Sequence, residues 1–159
     1  MIFETVFERV LGNEGNYVNS LDDLGGETNW GISKRSYPNL DIKNLTKEQA
    51  FFIYKRDFWE RLPIGLVNDE VIYQLFDFAV NSGIEVAIRY YQRALDVADD
   101  GYIGPVTIFA IKNVLPTDQI MLLNAERLNY MTRLKNWPID GKGWARRIAN
   151  NLRLGALDS

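Results

Sequence analysis

The chain has 159 residues, 47% of them hydrophobic and 13% aromatic, which is enough apolar material for a packed core and too much for disorder. It contains no cysteine and no histidine, which excludes disulfides, thiolate or histidine metal sites, Ser-His-Asp hydrolases and histidine-based phosphoryl chemistry. With a net charge of −3, the acid/base groups left to work near neutral pH are carboxylates.

The N-terminus, Met1-Ile2-Phe3-Glu4, has no basic stretch leading into an apolar run, and no run is long enough to span a bilayer. The expectation is a protein made in the cytoplasm without a signal peptide and without stable membrane insertion. Phe3, Val6, Phe7, Val10 and Leu11 then recur at helical spacing. At about 100° per residue, Glu14 falls near the middle of that apolar stripe. Partial desolvation there raises a carboxyl pKa and suits a general acid; the plainer alternative is a solvated glutamate at a helix end. Gly15 and Asn16 tolerate the left-handed backbone that stops a helix.

Asp22, Asp23, the Gly25-Gly26 pair and Thr28 form a turn-rich segment. It can fold back as a short hairpin and set a second carboxylate opposite the first. A buried acid facing a wetter carboxylate is the pair that glycoside hydrolysis uses. Taken alone, Asp beside Gly-Gly is equally an ordinary turn.

Residues 30–37 read as a short helix ended by Pro38. Thr46 with Gln49 three positions on is a capping box, opening a helix whose apolar face is Ala50, Phe51, Ile53, Tyr54, Phe58 and Trp59, with Pro63 closing it and Asp57 and Glu60 solvated. Residues 69–83 predict a very apolar helix in which Asp77 and Asn81 share one face. Polar groups inside such a run are either hydrogen-bonded in the core or line a cleft. Another helix covers residues 84–98. The acidic turn that follows resembles a calcium loop, but Ala98 and Thr107 stand where oxygen ligands are needed, so no metal is expected. Gly104-Pro105 reads as helix entry. Residues 118–134 form a helix with Asn124 and Arg127 on its apolar stripe, each needing a partner if buried. Residues 136–143 read as a polar loop before a last helix at 144–154. Residues 112–159 carry 8 basic and 4 acidic groups, more often a solvated helix face than a docking surface.

Glu14-Gly15-Asn16-Tyr17, followed by Asp23-x-Gly25-Gly26-x-Thr28-x-x-Gly31-Ile32-Ser33, resembles the opening signature of glycoside hydrolase family 108. That family comprises N-acetylmuramidases found as phage endolysins and as secretion-associated muramidases. The resemblance implies that Glu14 is the catalytic acid. By likeness to phage-type lysozymes, Asp23 would polarise the attacking water and Thr28 would help to hold it. Tyr17, Asn19, Trp30, Asp77 and Asn81 are expected to contact the glycan. Asn16 replaces the motif's second glycine, and Leu21 and Leu24 replace two prolines, leaving the loop less preorganised. In the second half, Phe76-Asp77-x-Ala79-Val80-Asn81-x-Gly83, Gln92, Asp100-Gly101-x-x-Gly104-Pro105-x-Thr107 and Gly143-Trp144-x-x-Arg147 resemble a predicted peptidoglycan-binding region fused behind that signature.

The expected fold is mainly α: a lysozyme-like helical globule with a short β-hairpin after Glu14. Residues 1–67 would form the catalytic half and residues 68–159 the peptidoglycan-binding half, packed as one globule. The implied activity is cleavage of the β-1,4 bond between N-acetylmuramic acid and N-acetylglucosamine, with peptidoglycan glycan strands as partner and no cofactor, metal or nucleic acid. A monomer made in the cytoplasm would need a holin or other export route to reach the periplasm or wall. The alternatives are a non-catalytic peptidoglycan-binding protein and a lytic transglycosylase.

Overall fold

The computed structural model describes residues 1–13, 16–19 and 26–159. The chain divides into two compact units, residues 2–59 and residues 60–159 with Met1. Together their described residues form seven α-helices and one small antiparallel sheet, the mainly α class expected.

In the first unit, α1 (Phe3–Asn13) buries Phe3, Val6, Phe7 and Val10, the stripe set by its periodicity. That stripe packs on α2 (Lys47–Asp57) through rings: Phe3 and Phe7 lie 4.8 and 5.2 Å from Phe51, and Phe7 lies 5.6 Å from Tyr54. The two Phe7 pairs are edge-on, and aromatic pairs at such distances add about 0.5–1.5 kcal/mol each beyond their burial. The α2 start is the capping box expected: Gln49 N donates to Thr46 Oγ1 at 3.1 Å, and Thr46 N donates to Gln49 Oε1 at 2.9 Å. Asp57 is not simply solvated. It accepts from Tyr37 Oη at 2.6 Å and from Arg56 Nε at 2.6 Å.

Between these helices in sequence come β1 (Val18–Asn19), β2 (Glu27–Asn29) and β3 (Ile32–Ser33), which form one sheet in that order. Its register sets Val18 opposite Thr28, and Thr28 opposite Ser33. The helix expected over residues 30–37 does not form. Trp30 and Gly31 both take positive φ, 54° and 75°, the two-residue hairpin turn that reverses the chain between β2 and β3. A right-handed helix cannot pass through that geometry. Trp30 is bulky for it, and two hydrogen bonds hold it there: Trp30 Nε1 donates to Leu45 O, and Tyr54 Oη donates to Trp30 O, each at 2.9 Å.

In the second unit, α3 (Asp69–Ser82) buries every residue from Val71 to Ala79 and packs against α4 (Ile84–Ala94), α6 (Pro116–Thr132) and α7 (Trp137–Asp158). The Gly104-Pro105 signal does start α5 (Pro105–Asn113), with proline in its first turn. The last helix begins at Trp137, so the loop expected over residues 136–143 is mostly helical. Pro138 fits the first turn of α7, and Gly141 lets the Trp137 ring lie against the backbone, where a Cβ would stand 2.8 Å from it.

Candidate active site

Glu14 and Asp23, the acid and base expected from the sequence, lie outside the described residues. The nearest described residues flank them in sequence. α1 ends at Asn13, one residue before Glu14, and the strands β1 and β2 stand on either side of the segment that holds Asp23.

Thr28 occupies the middle of β2, half-buried, with paired strands on both sides. Strand alternation puts its side chain on the sheet face opposite to Glu27 and Asn29. Asn29 anchors the other face: it is buried, and its Nδ2 donates to Ile42 O at 3.0 Å. Pairing on both sides of Thr28 and the Asn29 anchor beside it hold the backbone of this strand in place.

Tyr17 is exposed, and its hydroxyl donates to Glu27 Oε1 at 3.0 Å. Loss of solvation and the neighbouring Glu27 carboxylate push the Tyr17 phenol above its ordinary value. Sequence reading missed Glu27; the signal available was that a strand places it two residues from Asn29 on one face. Asn19, on the exposed edge strand, pairs in register with Glu27. Trp30 is half-buried with its indole N–H given to Leu45, so its polar edge serves the turn.

Asp77 corrects an expectation. It does not line a cleft: it is fully buried and its carboxylate is saturated. Arg127 Nη1 and Asn151 Nδ2 each donate to Oδ2 at 2.7 Å, and Arg147 Nη2 donates to Oδ1 at 2.8 Å. Burial alone would raise its pKa, but the two guanidiniums outweigh that and hold the carboxyl well below the usual carboxylate range. Asn81 is half-buried and accepts weakly from Arg127 Nη2 at 3.4 Å. Arg127 and Asn124 thus find the partners their position demanded, Asn124 Nδ2 donating to Gln74 Oε1 at 3.0 Å.

The remaining motif residues of the second half form another polar cluster. Gln92 is buried, and its Nε2 donates to Asp100 Oδ1 and Tyr102 O at 2.9 Å and to Thr107 Oγ1 at 3.1 Å. Gly101 N returns a bond to Gln92 Oε1 at 2.8 Å. Asp100, Gly101 and Thr107 are therefore bound to one amide on α4, which closes the turn that leads into α5. Among the described residues, no group of three or more His, Cys, Asp or Glu side chains is arranged to hold a metal.

The glycosyl hydrolase 108 family profile matches residues 7–83. Those residues run from the buried stripe of α1 through the sheet and α2 to the end of α3. The structure of SagA from Brucella abortus resembles this chain with a TM-score of 0.88 at 28% identity, over 99% of this chain and 95% of that one. No curated protein matches the chain.

Proposed function

We propose that this chain, matched by the glycosyl hydrolase 108 family profile over residues 7–83, is a glycoside hydrolase of that family and an endolytic N-acetylmuramidase of peptidoglycan. The observation that carries the reading is the family match across the whole Glu14 to Gly31 segment, with Thr28 fixed in the middle strand within it. Glu14 protonates the glycosidic oxygen as the β-1,4 bond from N-acetylmuramic acid to N-acetylglucosamine breaks. Asp23 takes a proton from a water that attacks the anomeric carbon from the opposite side, and Thr28 holds that water. One proton enters the leaving group and one leaves the nucleophile, so the pair is restored after release.

In the first unit Tyr17, Asn19 and Trp30 contact the glycan strand, and in the second Asn81 serves peptidoglycan binding by residues 68–159. The enzyme acts as a monomer in the periplasm or on the wall, reached through a holin or another export route. Digestion of purified sacculi, with mass spectrometry of the soluble muropeptides, tests the activity. Reducing N-acetylmuramic acid ends support hydrolysis. A 1,6-anhydro product assigns a lytic transglycosylase instead, and retention on sacculi without soluble products assigns a binding protein.

A further inference from the structure

The outward face of α7 is unlike an ordinary solvated helix face. At 100° per residue, Lys142, Arg146 and Arg153 fall within about 40° of one another and span about 16 Å along the axis. All three are exposed, and none forms an ion pair among the described residues. The acids of the helix, Asp140 and Asp158, lie about 160° round from Lys142. Flanking the cations on the same side are Ile139 at 83% exposure and Leu157 at 79%, both about 60° round from Lys142. Soluble surfaces usually interleave both signs of charge and keep large apolar side chains apart. This face has cations, apolar side chains and no anion.

We propose that the outer face of α7 docks on an anionic lipid surface. Cations draw the helix to negative headgroups, and apolar side chains beside them enter the boundary between headgroups and acyl chains. A hydrated wall polymer bearing carboxylates would satisfy the cations but leave Ile139 and Leu157 facing water. A second copy related by a two-fold axis would set cations against cations. No single helix among the described residues is long and apolar enough to cross a membrane, so the helix lies on the surface. The inference stands apart from the muramidase reading, because it uses no residue of that site.

Co-sedimentation of the full chain with vesicles tests it, comparing phosphatidylcholine alone with phosphatidylcholine containing phosphatidylglycerol. The wild type should partition to the anionic vesicles and be released by salt. Replacing Lys142, Arg146 and Arg153 together by Gln should weaken that partition on the order of 100-fold, at about 1 kcal/mol per cation. Ile139→Ser with Leu157→Ser should weaken it about tenfold while keeping the salt dependence. Both variants sit at exposed positions, and circular dichroism checks that each stays folded. Equal sedimentation with both vesicle types overturns the proposal, as does anionic binding that survives the triple substitution. Binding of the wild type to lipid-free sacculi but not to vesicles, lost in the triple variant, assigns the face to the wall polymer and also overturns it.

Discussion

Arg147 reaches Asp77 across 70 positions of sequence, donating from Nη2 to Oδ1 at 2.8 Å and from Nε at 3.1–3.2 Å, so α7 is clasped to the central α3 by an ion pair inside the protein. Arg127 completes the site from α6 with only 1% of its side chain exposed. Three helices therefore meet on one carboxylate. Removing that carboxylate leaves a buried guanidinium uncompensated, which typically costs 3–5 kcal/mol. Asp77→Ala should lower unfolding stability by about that amount in urea titration. An Asp77→Ala protein as stable as the wild type, with lost activity, would return Asp77 to the substrate site.

The same cluster sets an acid limit. The folded pKa of Asp77 is depressed, so its contribution is fully present above the unfolded carboxylate value of about 3.9 and fades as pH falls toward the folded value. The urea midpoint should thus drop as pH is lowered from about 5 to 3. Asp77→Asn should show a shallower drop over that interval, because it no longer has that proton to take up.

Asn81 gives a cleaner probe of substrate contact than Asp77. Its Oδ1 accepts from Arg127 Nη2 and from Ser82 Oγ, both long at 3.4 Å. Asn81→Ala should therefore cost under about 1 kcal/mol in stability. A clear fall in kcat/KM on sacculi with a nearly unchanged melting temperature would place Asn81 on the glycan. A large loss of stability with normal specific activity would make it a structural residue.

Glu14→Gln should abolish wall lysis while leaving the fold intact, since an amide has no proton to deliver to the leaving oxygen. Turbidity loss of a sacculus suspension reads the activity, and circular dichroism reads the fold. A variant keeping more than a small fraction of wild-type activity removes Glu14 from the acid role.

Asp23→Ala should cost on the order of 10²–10⁴ in rate, the worth of a positioned base. The reaction should be inverting, with the two carboxyls about 6.5–9.5 Å apart to admit a water between them. Proton NMR of the first-formed anomer checks this. An α product agrees, and a β product means that Asp23 attacks directly, which would leave Thr28 without a water to orient.

Local signals were legible in the sequence because their physics is local. The α1 stripe needs only residues three and four apart, the Thr46 capping box needs only Gln49, and Pro105 sets the α5 start through its own fixed φ. The family resemblance was likewise readable as a motif over residues 14–33, inside the stretch that the family profile matches. Three matters were settled only in the folded chain. Residues 30–37 read as a short helix ended by Pro38, yet bonds from Trp30 to Leu45 and from Tyr54 to Trp30 fix a reversing turn. Residues 136–143 looked like a loop until the Trp137 ring found its place over Gly141. Asp77 and Asn81 shared a helix face in the sequence, but which one was committed to the core depended on Arg127, Arg147 and Asn151, which lie 50, 70 and 74 positions from Asp77. Periodicity shows that a polar group shares an apolar helix face. Whether that group meets a partner or a cleft is decided by charges brought together only when the helices pack.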